Sequence, residues 1–315
     1  MTGYHIYYQS NEDGEYSQIN YLAQLASILN WKKYYGPIKL FCNKQFLDSI
    51  SKYGLDKEYD SIDTEFIETT PHLKSKHIFW SFSKIYIAQE VAKYESEFCI
   101  LDTDIWIQSP GLIDTGCDIS FYHREAFDIN YKLNPYPDPS NWLNDDELKQ
   151  FDWNVYPMNC AIIYFKNRSK EVIDAWYKMA LKVVTDNQSN ESEENLRAGT
   201  IFIEQRLLPT IASKLNLTIG SISPNIYLTW ISGEYSDGRE WRPVLGFNDY
   251  STTIVENIKH VWGAKSYYDQ DWIRTLIIGA AILGLHDFNV ASKFEQLYTE
   301  CIDVYPEKDS LYKFG

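Results

Sequence analysis

A chain of 315 residues with 44% hydrophobic side chains can bury the core of one large α/β domain with an appendage. Its formal net charge of -15 argues against a nucleic-acid partner or a polybasic grip on anionic lipid. The five cysteines (Cys42, Cys99, Cys117, Cys160, Cys301) are odd in number and scattered, with no Cys-x-x-Cys; Cys99 and Cys160 sit inside apolar runs and are expected to be buried thiols, which fits a reducing, cytoplasmic setting.

The chain opens with a short aromatic strand, His5–Gln9, followed by a polar loop over Ser10–Ser17. Residues 1–10 carry neither a cationic start nor an apolar core, so no secretory leader is expected. Leu22, Leu25, Ala26 and Leu29 make one apolar stripe, which predicts a helix over Ile19–Trp31. Gly36 and Pro37 break it before a strand at Ile38–Cys42. A helix over Phe46–Tyr53, a short strand at Glu65–Ile67 and a helix over Phe79–Tyr94 follow. This alternation predicts a mostly parallel sheet with helices on its faces. Ligands bind such sheets at the carboxyl ends of the strands.

Phe98–Ile107 is the most telling stretch. An apolar run carries Asp102 and Asp104 with a single residue between them and then turns apolar again. Desolvating two carboxylates at the end of a buried strand is costly without a partner. A divalent cation is an economical partner, and two acids two residues apart on extended backbone can face one ion. Oxygen ligands of this kind suit magnesium or manganese. Further on, strands are expected at Ile119–Tyr122 and Asn159–Phe165, and helices at Val172–Val184 and Ile203–Leu215. Asp128–Asp146 and Asp186–Gly199 read as polar surface loops. Val255–Trp262 leads into Gly263, and the pattern after Asp269 is helical. Leu276–Leu285, the longest apolar run, is too short to span a bilayer.

Several segments then match a family in order, over residues 4 to 268. They are the first strand end (Tyr7, Tyr8, Gln9), the Trp80–Gln89 helix with Lys84, and the Leu101–Asp104 pair. Met158–Tyr164 with Asn159, Ile203–Leu208 with Gln205, and His260–Lys265 with Gly263 complete the set. In this order the chain resembles the nucleotide-sugar glycosyltransferases of the GT-A fold. It is similar to the retaining glycosyltransferase family eight, which includes glycogenin and bacterial galactosyltransferases, with family thirty-two as the neighbouring alternative. Three positions depart from the family pattern: Lys84 where Arg is commoner, Ala161 in place of Gly, and Lys265 one residue early.

The resemblance implies a Rossmann-like, mostly parallel mixed sheet flanked by helices over residues 1–268, with a helical extension over 269–315. It implies Asp102, Asp104 and His260 as ligands of Mn²⁺ or Mg²⁺. Tyr7, Tyr8 and Gln9 would cradle the donor base, while Lys84, Gly263 and Lys265 would meet the diphosphate. Asn159 and Gln205 would line the sugar pocket, with Asp102, Asp104 and Gln205 carrying the catalysis. The implied reaction moves a hexose from a nucleotide sugar, UDP-hexose above all, to a glycan, lipid-linked or protein acceptor, with retention of configuration.

Two other classes remain open on the sequence. An apolar strand ending Asp-x-Asp also opens phosphatases of the haloacid-dehalogenase type, where the first Asp is a nucleophile. Trp106 stands where that motif carries Thr or Val. The other class is a non-catalytic carbohydrate-binding protein.

Overall fold

β-Branched and aromatic runs alternate with helices long enough to cross over a sheet, and this order builds parallel neighbours. A computed structural model describes residues 1–9, 18–69, 81–107, 109–125, 138–166, 169–186 and 198–223. It also describes the strand pieces 226–227, 233–234, 240–241 and 258–260. The strands are β1 (Thr2–Tyr7), β2 (Ile38–Cys42), β3 (Ser61–Asp63), β4 (Phe98–Leu101), β5 (Ile105–Ile107), β6 (Ile119–Phe121) and β7 (Arg124–Glu125). They continue with β8 (Ile162–Phe165), β9 (Ile219–Ser221), β10 (Ile226–Tyr227), β11 (Gly233–Glu234), β12 (Glu240–Trp241) and β13 (Ile258–His260). The helices are α1 (Gln18–Tyr34), α2 (Lys44–Ser51), α3 (Glu65–Thr69), α4 (Phe82–Val91), α5 (Asp145–Leu148), α6 (Ser169–Asp186) and α7 (Leu207–Lys214).

Seven strands form one sheet in the order β3-β2-β1-β4-β8-β6-β9. β1 runs parallel to β2 and β4, β2 to β3, and β6 to β9. β8 runs antiparallel to both β4 and β6. The sheet is therefore mixed and mostly parallel, as expected. Its central strands are buried on both faces. On β4, Phe98 and Ile100 enter the core shared with α4, α6 and α7, while Cys99 and Leu101 enter the core shared with α1 and α2. β8 alternates in the same way, with Ile163 and Phe165 opposite Ile162 and Tyr164. Gly3 is dictated by packing, because a Cβ there would lie 2.4 Å from the Trp31 ring of α1.

The structure corrects four local expectations. The first strand runs over Thr2–Tyr7 rather than His5–Gln9. Glu65–Ile67 is helical rather than a strand. The Asp63 carboxylate accepts hydrogen bonds from the Glu65 and Phe66 amides at 3.0 and 3.1 Å and starts α3, so the strand falls earlier, at β3. The strand expected from Asn159 begins only at Ile162, because the Asn159 side chain captures the Ala161 amide at 3.0 Å. The Asp128–Asp146 segment, where described, carries a short helix (α5). A reciprocal Asn144–Glu147 capping box starts it. Ser10–Ser17, 187–197 and the extension over 269–315 lie outside the described residues. Among the described residues, no helix is long and apolar enough to cross a membrane.

His5, on β1, has no exposed surface. Its Nδ1 shares a 2.7 Å hydrogen bond with the Tyr59 hydroxyl, and its Nε2 a 3.0 Å bond with Ser27 Oγ. Gln24 Nε2 donates to Tyr59 at 2.5 Å. A neutral imidazole satisfies both of its contacts. Burial lowers the His5 pKa from 6.5 to about 3, against a partial lift from the Asp104 charge. Between those two pH values the unfolded chain binds a proton that the folded chain refuses. Stability is thus fully present above pH 6.5 and falls as the pH drops toward 3. His5 should contribute up to about 1.4 kcal/mol of loss per pH unit in that window. Urea unfolding of wild type and His5→Gln at pH 7, 6, 5 and 4 checks this. The variant should lose stability less steeply, and equal slopes would show that His5 is not the group responsible.

Candidate active site

The register of β1 places its end beside the ends of β2 and β4. Tyr7 pairs with Cys42, and His5 pairs with Leu101. The chain therefore leaves β1 at Tyr8 and Gln9 next to the point where it leaves β4 at Asp102. Gln9 is buried and tied to the neighbouring strand end. Its amide donates to Asn43 Oδ1 at 3.0 Å, its carbonyl accepts from Asn43 Nδ2 at 2.7 Å, and its Oε1 accepts from Ser49 Oγ at 3.2 Å. Tyr7 stacks on Phe46 of α2 with ring centroids 4.1 Å apart. Tyr8 is half-buried against the core of the opposite face. These three residues shape the edge of the sheet, and much of their side-chain surface is committed to packing.

Asp102 and Asp104 do not sit on extended backbone. β4 ends at Leu101, the Asp102 amide donates to Ala161 O at 2.9 Å, and the Ile105 amide donates to Asp102 O at 3.4 Å. The two carboxylates thus flank a tight turn, with Thr103 buried between them. Asp102 keeps 34% of its side chain exposed, enough to meet a ligand. It also has a protein partner where the sequence suggested a metal alone. Lys84 of α4 donates to Asp102 Oδ1 at 2.7 Å.

Lys84 makes further contacts. Its ammonium donates to Cys160 O at 3.1 Å and to Glu204 Oε1. Ser81, at the start of α4, donates to Glu204 Oε2 at 2.5 Å. Only 11% of the Lys84 side chain is exposed. That burial alone would lower its pKa, but the Asp102 and Glu204 carboxylates outweigh it and raise the pKa above the usual lysine range. Lys84 is therefore a fixed positive charge in the floor of the site.

Glu204 owes its place to a widened helical turn. Phe202–Arg206 forms a π-turn just before α7, closed by the Leu207 amide on Phe202 O. The carbonyls inside it accept from outside the helix: Ile203 O from Trp176 Nε1 at 2.6 Å, Glu204 O from Cys160 Sγ at 3.4 Å, and Gln205 O from the Met158 amide at 2.9 Å. Such turns recur at functional sites. Glu204 and Gln205 are both buried, and it is Glu204 that grips Lys84. A carboxylate between the apolar pairs Phe202 and Ile203 on one side and Leu207 and Leu208 on the other was the signal for it, since a charge carried into a core needs a buried cation.

Asn159 acts on the backbone around it. Its Oδ1 accepts from the Ala161 amide at 3.0 Å and its Nδ2 donates to Glu125 Oε1 at 3.0 Å. The Asn159–Ala161 turn then supplies Cys160 O to Lys84 and Ala161 O to the Asp102 amide. Glu125, a fully buried carboxylate with His123 Nδ1 at 3.8 Å, went unnoticed in the sequence because it follows no motif.

His260 lies far away in sequence but arrives beside the acidic turn. β13 pairs antiparallel with β5, with His260 opposite Ile105, the residue after Asp104. The side chain of His260, and all of Gly263 and Lys265, lie outside the described residues. Among the described residues, no three metal-binding side chains converge.

No family model and no curated protein matches the chain. Solved structures are similar to it at low identity. A structure described as the PaToxG glycosyltransferase shares 12% identity, with 68% of this chain and 69% of that chain covered and a TM-score of 0.38. The galactosyltransferase LgtC in complex with donor and acceptor sugar analogs shares 12% identity, with 95% and 96% covered and a TM-score of 0.38. An active-site mutant of LgtC shares 11%, with the same coverage and a TM-score of 0.37. At these scores the likeness does not carry a reaction to this chain.

Asn159→Ala removes a donor from buried Glu125 and an acceptor from the Ala161 amide. It should cost about 2–4 kcal/mol of stability by urea unfolding. A loss below about 1 kcal/mol would show that the turn holds its shape without the amide.

Proposed function

We propose that the chain is a divalent-metal-dependent glycosyltransferase that moves a hexose from a nucleoside-diphosphate sugar, with UDP as the leaving group, to a glycan, lipid-linked or protein acceptor. The observation that carries this reading is the pairing of β13 with β5. It brings the backbone of His260 to the Asp102–Asp104 turn at the carboxyl edge of the sheet. Two carboxylates and an imidazole form a donor set that fits Mn²⁺ or Mg²⁺, with the nitrogen favouring manganese. Asp102, Asp104 and His260 would hold the ion. When bound, it supplies positive charge for a diphosphate that gains negative charge as the glycosidic bond stretches.

The chain's own residues do the rest. Lys84 adds a second, fixed positive charge beside Asp102. Gln205 and the sheet edge at Tyr7–Gln9 are suited to the sugar and base ends of the donor. Asn159 sets the turn that fixes Lys84 and Asp102 relative to each other. Lys265, with Gly263, would meet the diphosphate from the segment after β13. Retention of configuration and the choice of UDP rest on the family resemblance.

Calorimetry with UDP tests the reading. Wild-type protein should bind UDP saturably with Mn²⁺ and far more weakly without it. Asp104→Ala, folded as judged by circular dichroism, should lose the metal-dependent part. Incubation with a UDP-hexose, Mn²⁺ and no acceptor should release UDP slowly. Unchanged metal-dependent affinity in Asp104→Ala would overturn the metal assignment. Rapid release of p-nitrophenol from p-nitrophenyl phosphate, lost in Asp102→Asn, would make the protein a phosphatase instead.

A further inference from the structure

An ammonium carries three N–H donors. Lys84 uses them on Asp102 Oδ1, Cys160 O and Glu204 Oε1. Asp102 therefore has two claims on it, one from Lys84 and one from the ion of the proposed reaction. We propose that Lys84 is a resident competitor for the divalent cation at Asp102, and that Glu204 is the positioning residue that keeps the ammonium when the ion displaces it. The inference rests on the metal reading above and adds a mechanism of control to it.

Three observations support the exchange. First, the contact with Asp102 is the one most open to challenge. Asp102 is 34% exposed, whereas Glu204 is 11% exposed. Second, Glu204 cannot follow the ammonium outward. Its other oxygen accepts from Ser81 Oγ, and its backbone carbonyl accepts from Cys160 Sγ within the π-turn. Third, the formal charges fit a dication. Asp102, Asp104 and Glu204 against Lys84 leave two negative charges at the turn. An ion on Asp102 and Asp104 repels the ammonium, which gives up Asp102 and stays on Glu204 and Cys160 O. One N–H then becomes available at the sheet edge, where an anionic diphosphate would sit. Metal alone should thus bind against Lys84, and the anion with its help.

The test measures Mn²⁺ alone, by electron paramagnetic resonance of the free ion, and then UDP binding to the metal-loaded protein. Lys84→Met should bind Mn²⁺ about tenfold tighter than wild type and, once loaded, bind UDP about tenfold more weakly. Glu204→Gln leaves the ammonium with Asp102 as its one carboxylate, so Mn²⁺ should bind several-fold more weakly. The double variant Lys84→Met with Glu204→Gln removes the ammonium and one of its carboxylates together. It should return Mn²⁺ affinity to at least the wild-type level, and it also serves if Lys84→Met fails to fold. Mn²⁺ affinity in Lys84→Met no tighter than wild type would overturn the proposal, as would a double variant as weak as Glu204→Gln. If wild type binds Mn²⁺, Asp104→Ala abolishes it and Lys84→Met leaves it unchanged, this inference alone falls. If wild type shows no saturable Mn²⁺ binding, the metal reading falls with it.

Discussion

The ammonium of Lys84 ties the site together. It joins α4, the turn after β4, the turn before β8 and the π-turn before α7 through Asp102, Cys160 O and Glu204. These pieces lie up to 120 residues apart in sequence. Removing one member of such a buried charge group leaves the others without compensation, a loss of about 3–5 kcal/mol in comparable cases. The geometry at Asp102 is therefore set by the contacts that Lys84 makes with the turn before β8 and the π-turn as much as by its local turn.

The sheet provides the frame for this contact. Parallel strands deliver their carboxyl ends to one edge, and helices cover both faces. β8 runs against its neighbours, so it is its entry, not its exit, that reaches the site. The Asn159–Ala161 turn sits at that entry. It contributes backbone carbonyls, whose partial negative charge, unlike a carboxylate's, is not cancelled by protonation.

Much of this was legible in the sequence. The punctuating Gly36–Pro37 located the second strand, and Ile38–Cys42 fell where the pattern put it, whereas the first strand, expected at His5–Gln9, runs over Thr2–Tyr7. The Asp102/Asp104 pair falls in the turn just past the end of β4, where Asp102 meets Lys84. The nature of Asp102's partner was not legible, because an ion pair spanning 18 residues depends on how a helix is laid across a sheet. The contact of Glu204 with Lys84 escaped for a related reason. A regular helix and a π-turn share the same local sequence, and they aim adjacent side chains differently. Glu65–Ile67 shows a smaller version: the Asp63 carboxylate caps the start of a helix in what reads as a β-like run. His5 and Glu125 were invisible because buried polar residues announce themselves only through their partners.

The π-turn also constrains how this protein can vary. A helix with one residue more than its regular count turns everything beyond it by about 100°. Losing a residue from Phe202–Arg206 would restore a regular helix while swinging the acidic side chain off its ammonium. The segment can therefore exchange one side chain for another more easily than it can change in length. A lineage that drifts far in composition here would still be held to the same spacing between the Trp176 contact and the start of α7.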